Sequence, residues 1–276
     1  MDIHYVKFTN KMRERFPNGE LVSLKDKVFI VTGGAMGIGE GIATRFRHAG
    51  AEVVIVDNNE VKAVRLFESF GATKKYITDH FHRANVADSQ AVDSVVRKVV
   101  SKFGRIDGLV NNVGIYPVEP TISMTDETWH KVLRTNLDST FFTSRGVARQ
   151  MIEQGHGGRI INIGSVDSVR PWRAGMAAYD ASKAAILGFS KNLALELAPH
   201  QITVNVIGPG DIVTPGSGGG SLSLEDLKTD RIPIGRRGTP DDVAKVALAL
   251  AGSAGDYVTG AFIPVDGGWL LTSSNT

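Results

Sequence analysis

The 276-residue chain contains no cysteine. Disulfides, thiolate metal sites and a thiol nucleophile are thereby excluded, and a reducing compartment fits without being required. Net charge is also scarce, at +2. That is too little for the basic field that holds phosphate backbones, so nucleic acid is not an expected partner. No stretch reaches the roughly 18 uncharged apolar residues of a membrane span. The first 27 residues mix Lys7, Lys11, Arg13 and Arg15 with Asp2, Glu14 and Glu20, and hold no apolar core of a secretory signal. These absences point to the cytoplasm, away from membranes.

Present instead is an alternation of short β-branched runs and longer stretches of helical period. With 42% hydrophobic and 22% charged residues, the composition suits a full core. Val28 to Val31, Val53 to Val56, Gly108 to Val110, Arg159 to Ile163, Ile202 to Ile207 and Ala261 to Val265 read as strands. Gly39 to Ala49, Ser89 to Phe103, Thr125 to Arg149 and Tyr179 to Ala198 read as helices. Near-continuous apolar strands between helices imply a parallel sheet covered on both faces. One Rossmann-type, doubly wound α/β domain over residues 25–276 is expected, preceded by an extension over residues 1–24. The extension either packs on the domain or a neighbouring subunit, or frays. Residues 211–233 are Gly-rich, too long for an ordinary connector, and follow a strand's carboxyl end, where a substrate lid would sit; a disordered loop is the alternative.

Thr32-Gly33-Gly34-Ala35-Met36-Gly37-Ile38-Gly39 lies between the first strand and first helix. Gly33 permits a sharp turn, Gly37 permits close approach of a pyrophosphate to the helix N-terminus, and Gly39 permits close packing of helix on sheet. Asp57 ends the second strand and is followed by Asn58 and Asn59. A carboxylate there can accept from a ribose 2′-hydroxyl and repel a 2′-phosphate, which favours NAD over NADP. Tyr179 and Lys183, four apart on a helix, share a face. An ammonium beside a phenol favours the phenolate and makes a usable acid–base. Ser165, after the strand ending at Ile163, can hydrogen-bond a substrate oxygen.

These elements occur in one order with Asn111-Asn112-Val113-Gly114, Asn136, Pro209-Gly210-x-x-x-Thr214 and Val265-Asp266-Gly267-Gly268. From about Leu24 to Trp269 the chain resembles the short-chain dehydrogenase/reductase family in its single-domain branch. The resemblance implies Tyr179 as general acid–base, with Lys183 holding the nicotinamide ribose and lowering the Tyr179 pKa. It implies Ser165 positioning the substrate and Asn136 holding a water. Gly33, Met36, Gly37, Ile38, Gly39, Asp57, Asn58, Asn112 and Gly114 would bind the cofactor, with Asn85 and Val86 beside adenine. Pro209, Gly210, Ile212 and Thr214 would meet the nicotinamide half. It also implies a homotetramer and no metal. Asn85 stands where many members carry Asp, and the interval from Ser165 to Tyr179 is one residue longer than usual, with Ser168 a distant alternative to Ser165.

Tyr116, Pro117, Asp167, Arg170, Trp172, Arg173 and Asp211 are expected around the substrate. Their polarity favours a sugar, polyol or small hydroxy compound, although these charges could face solvent at the rim. A 3-oxoacyl-thioester reductase is the alternative, for which Arg170 and Arg173 could form a basic patch. A non-catalytic dinucleotide sensor needs only the cofactor half, and an epimerase or dehydratase would usually carry a larger C-terminal region. His80 and His82 are expected to be a solvated or strand-edge pair rather than metal ligands.

Overall fold

A computed structural model describes residues 21–217 and 225–272. The expected extension before residue 21 and the centre of the expected lid lie outside the described residues. In chain order the strands are β1 (Val28–Thr32), β2 (Glu52–Asp57), β3 (Phe81–Arg83), β4 (Gly108–Asn111), β5 (Gly158–Ile163), β6 (Ile202–Pro209) and β7 (Phe262–Val265). The helices are α1 (Gly37–His48), α2 (Glu60–Ser69), α3 (Lys74–His80), α4 (Ser89–Phe103), α5 (Asp126–Leu133), α6 (Ser139–Gln154), α7 (Ala177–Leu197) and α8 (Pro240–Ala251).

All strand pairs are parallel, in the order β3-β2-β1-β4-β5-β6-β7. Successive strand side chains point to opposite faces. Phe29 and Val31 therefore join Ile42 and Phe46 of α1 and Val243 and Ala247 of α8 on one side. Val28 and Ile30 join Val92 and Val99 of α4, Met151 of α6 and Leu193 of α7 on the other. Both faces are covered, which is why the strands read as unbroken apolar runs.

The ends of α4 match the sequence reading because both signals are local. Asp88 accepts hydrogen bonds from the Gln90 and Ala91 amides, and Gly104 ends the helix with φ 76°. The stretch Thr125 to Arg149, read as mostly helical, is helical throughout as α5 and α6 joined by a π turn, Arg134–Asp138. Hydroxyls intrude there: Ser139 Oγ donates to the Thr135 carbonyl at 2.6 Å and Thr140 Oγ1 to the Asn136 carbonyl at 2.8 Å.

Three further results differ from the sequence reading. The elements α2, α3 and β3 were not among the expected ones. Leu24, assigned to the extension, is buried in the core, and its amide donates to the Ala49 carbonyl. His80 is buried rather than solvated: it stacks on Tyr76 with centroids 3.7 Å apart, and Nε2 lies 2.6 Å from Glu52 Oε2. His82 does lie on the edge strand β3. The described flanks of residues 211–233 are anchored. Ile212 bridges to Gly238, and Leu227 and Ile232 are buried.

Candidate active site

The strand order reverses direction between β1 and β4, and a parallel α/β sheet opens its crevice at the carboxyl ends of such a pair. A cavity of about 710 Å³ lies there. Its walls bring together Gly33, Met36, Gly37, Ile38, Asp57, Asn58, Asn85, Val86, Asn112, Gly114, Ser165, Tyr179, Lys183, Pro209, Gly210, Ile212 and Thr214. Tyr116, Asp167, Trp172 and Asp211 line it as well, whereas Gly39, Asn136, Pro117, Arg170 and Arg173, also expected at the site, are not among its walls.

At one end the backbone sets the shape. Gly37 has φ 59°, a left-handed conformation suited to glycine. A Cβ on Gly39 would fall 2.2 Å from the Gly33 carbonyl oxygen. Asn112 Nδ2 donates to the carbonyls of Thr32 (3.3 Å) and Gly33 (3.0 Å), lacing β4 to the turn. No side chain caps α1, and its first amides, which lack intrahelical partners, suit a phosphate. Asp57 accepts from the Ala35 amide at 3.1 Å and the Asn59 amide at 2.8 Å, one on each oxygen. Asn85 accepts from the Ala87 amide. A glycine cradle, an uncapped helix and a carboxylate beyond it together fit a dinucleotide. Lys62, absent from the sequence reading, lies with Nζ 3.2 Å from Met36 Sδ; α2, unread in the sequence, brings it there.

At the other end side chains do the work. One face of α7 presents Tyr179 and Lys183, and Lys183 Nζ lies 5.6 Å from the Tyr179 ring centroid. Lys183 is buried and donates to the Ile163 carbonyl at 2.8 Å. Burial pulls its ammonium down to about 8. Burial pushes the Tyr179 phenol upward, with the Ser165 hydroxyl acting the other way. Desolvation is the largest influence on the phenol, and burial also disfavours the neighbouring ammonium.

Asn136 is held from both sides. Its Oδ1 accepts from the Ile115 amide at 2.8 Å, and Nδ2 donates to the Ile115 carbonyl and to Ser182 Oγ, each at 3.0 Å. Ser182 in turn donates to the Tyr179 carbonyl. Ser165 Oγ donates to Asp167 at 2.8 Å. Burial raises the Asp167 carboxyl, and burial together with Asp167 raises that of Asp180 to about 6.

Two features escaped the sequence reading. A buried polar network runs beneath the site: Asn111 donates to Ser144 and to Asn162, its register partner on β5, and Asn162 donates to Ser190. Asparagines inside apolar strands were the available signal. Trp269 also lines the cavity. Arg170 stacks on it at 4.7 Å and donates to the Thr272 carbonyl at 2.6 Å. Among the described residues no group of three or more His, Asp or Glu is placed to hold a metal, and no helix is long and apolar enough to cross a membrane.

Residues 33–270 match the family model described as enoyl-(acyl carrier protein) reductase. The chain is 40% identical over 253 residues to the 2-dehydro-3-deoxy-D-gluconate 5-dehydrogenase of Dickeya dadantii (strain 3937), spanning 90% of this chain and 97% of that protein. It is 37% identical over 250 residues to the 3-oxoacyl-(acyl-carrier-protein) reductase of Escherichia coli (strain K12), spanning 91% and 100%. Among solved structures, a short-chain type dehydrogenase/reductase from Mycobacterium marinum superposes with TM-score 0.82 at 30% identity, covering 92% of this chain and 99% of that one.

Proposed function

The chain belongs to the short-chain dehydrogenase/reductase family and is an oxidoreductase, and we propose that it uses NAD to interconvert a small secondary alcohol, of sugar or polyol kind, with its ketone. The observation that carries this reading is the convergence of Tyr179, Lys183 and Ser165 at one end of a cavity whose other end presents the Asp57 carboxylate.

A nicotinamide held in this cleft would supply or accept the hydride. Gly33, Gly37 and the N-terminus of α1 would hold its pyrophosphate, and Asp57 would accept from the ribose 2′-hydroxyl. Tyr179 Oη, protonated because it is buried, donates its proton to the oxygen of a ketone and recovers one from the alcohol in the reverse direction. Lys183, drawn to about 8, can hold or release a proton near neutral pH behind Tyr179. Ser165 would orient the reacting oxygen, accepting from the alcohol hydroxyl as it stands and donating to a ketone once its proton turns away from Asp167. Asn136, through Ile115 and Ser182, keeps the wall behind Lys183 fixed. Positioning of this kind contributes much of the rate.

Arg170 is engaged with C-terminal carbonyls, which weakens the basic patch that a carrier-protein substrate would need. Assembly as a homotetramer in the cytoplasm is also proposed. Phe141 on α6 and Leu195 on α7 remain exposed, as residues at a helix–helix contact between subunits would; light scattering on the eluted protein tests it.

Absorbance at the reduced-nicotinamide band, with NAD and then NADP, over sugars, polyols, secondary alcohols and hydroxyacyl thioesters tests the function. Turnover with NAD is expected, and its loss in Tyr179→Phe. Preference for NADP would overturn the Asp57 argument. Tight NADH binding without turnover on any compound would favour a sensor.

A further inference from the structure

Asp167 is buried, and its two oxygens are both engaged. Oδ2 accepts the Ser165 Oγ proton at 2.8 Å and Oδ1 accepts the Trp172 amide at 2.8 Å. The Asp167 amide donates back to Ser165 Oγ at 3.1 Å. A serine hydroxyl has one proton, and here it points at Asp167. Ser165 Oγ also meets the Tyr179 hydroxyl, so what the pair offers the cavity is acceptors on Asp167, the second lone pair of each carboxylate oxygen. Buried acceptors require donors.

The surrounding charge has the same sense. Among the described residues lining the cavity, the ionisable acids are Asp57, Asp167 and Asp211, and the cation is Lys183. Lys183 donates to a backbone carbonyl, and Asp211 is paired with Arg237 through two 2.7 Å contacts. Arg170 is directed to the C-terminal carbonyls, and Arg173 is exposed over Trp172 at the rim. Tyr116, Trp172 and Trp269 complete the walls. A carboxylate substrate would meet Asp167, whose charge the exposed Arg173 offsets only through solvent, whereas a hydroxyl or an ammonium would meet acceptors and aromatic faces.

Granted the oxidoreductase reading above, we infer that Asp167 is a specificity-determining residue: it selects substrates carrying an O–H or N⁺–H donor on the carbon beside the reacting one, and rejects those carrying a carboxylate there. The rule concerns only the carbon beside the reacting one, so a sugar acid whose carboxylate lies several carbons away is not excluded by it.

The test is ligand-observed NMR titration of the whole protein, with and without NADH, using four matched compounds. These are 1,2-propanediol, 1-amino-2-propanol, lactate and 2-propanol, which NADH cannot oxidise and which therefore report binding without turnover. The diol and the amino alcohol should both bind tighter than lactate by about 10- to 100-fold, the range of one hydrogen bond to a charged group. Binding of the amino alcohol alone would assign the selection to charge and overturn the donor rule. In Asp167→Asn, checked for fold by circular dichroism, the ratio should fall below about 3-fold, with the change carried in KM rather than kcat wherever turnover is seen. Lactate binding as tightly as the diol in the wild type, or a preference that survives in Asp167→Asn, overturns the inference. NADH that neither binds nor alters the titrations, while the Asp167-dependent preference persists, would sink the dinucleotide reading and leave the selection rule standing.

Discussion

The two ends of the cleft are built by different means. At the dinucleotide end, shape comes from the main chain: a positive-φ glycine, a glycine whose Cβ would strike a carbonyl, and an asparagine that laces two strand ends together. At the reacting end, shape comes from side chains on α7, on the π turn and on the segment after β5, each held by hydrogen bonds to another element. Main-chain geometry leaves its mark in short motifs. Side-chain geometry depends on partners far away in sequence. The first end suits a ligand that never varies, and the second can be retuned by single substitutions.

The sharpest challenge to this division is Tyr179→Phe. Losing the proton donor should lower kcat by about 10²- to 10⁴-fold, while NADH affinity, followed by fluorescence, stays within about 3-fold. A parallel loss of NADH binding would show that the ends are not separable.

Next in size is the cost of the buried ammonium. Lys183 has a folded value of about 8 against 10.5 in the open chain. Between those values the unfolded chain binds the proton and the folded one does not. Stability therefore rises with pH through this window, by about 1.4 kcal/mol per pH unit. Lys183→Met should be more stable than the wild type at pH 7, by on the order of 3 kcal/mol. Its advantage should shrink as pH rises toward 10.5. Urea melts at three pH values check this, and a constant difference between the two proteins would refute it.

Gly39→Ala addresses the other end. Displacing the Gly33 carbonyl should cost about 1–3 kcal/mol of stability and weaken NADH binding before it touches the chemistry. Unchanged NADH affinity would mean that the turn tolerates a side chain and that main-chain shape is not what holds the ligand. The smallest effect belongs to Arg45 and Asp241, which join α1 to α8 with both side chains well exposed. A double-mutant cycle should give about 0.2–1 kcal/mol, reduced by salt. Arg45 holds Asp241 down to about 2. This contribution should therefore be present above the ordinary carboxylate range and fade as pH falls toward 2.

Legibility followed the same division. The glycine turn, Asp57 and the limits of α4 were readable because each depends on neighbours within a few residues. The π turn was not, because Trp129, Val132 and Val147 keep a helical period across it and the break comes from hydroxyl contacts. β3 is three residues of mixed polarity, Phe-His-Arg, with no period to detect. His80 was misjudged because α3, which ends on it, was unread; the turn of that helix carries the ring inward onto Tyr76. Ser165, Tyr179 and Lys183 could be named from spacing and resemblance. That the Ser165 proton points toward Asp167 could not, since it depends on how the segment after β5 folds back on itself.

The π turn also bears on how such a chain can change over time. Removing one residue between Arg134 and Asp138 would restore regular pairing along a single helix and turn one half against the other by about 100°. The shortened helix would be the more regular one, and Asn136 would lose its hold on Ile115 and Ser182. A one-codon deletion at this point would thus make the helix more regular, yet carry Val147 and Met151 off the core and empty the wall behind Lys183. The extra residue is therefore tied to packing and to the site at once, and a lineage could shed it only by rebuilding both.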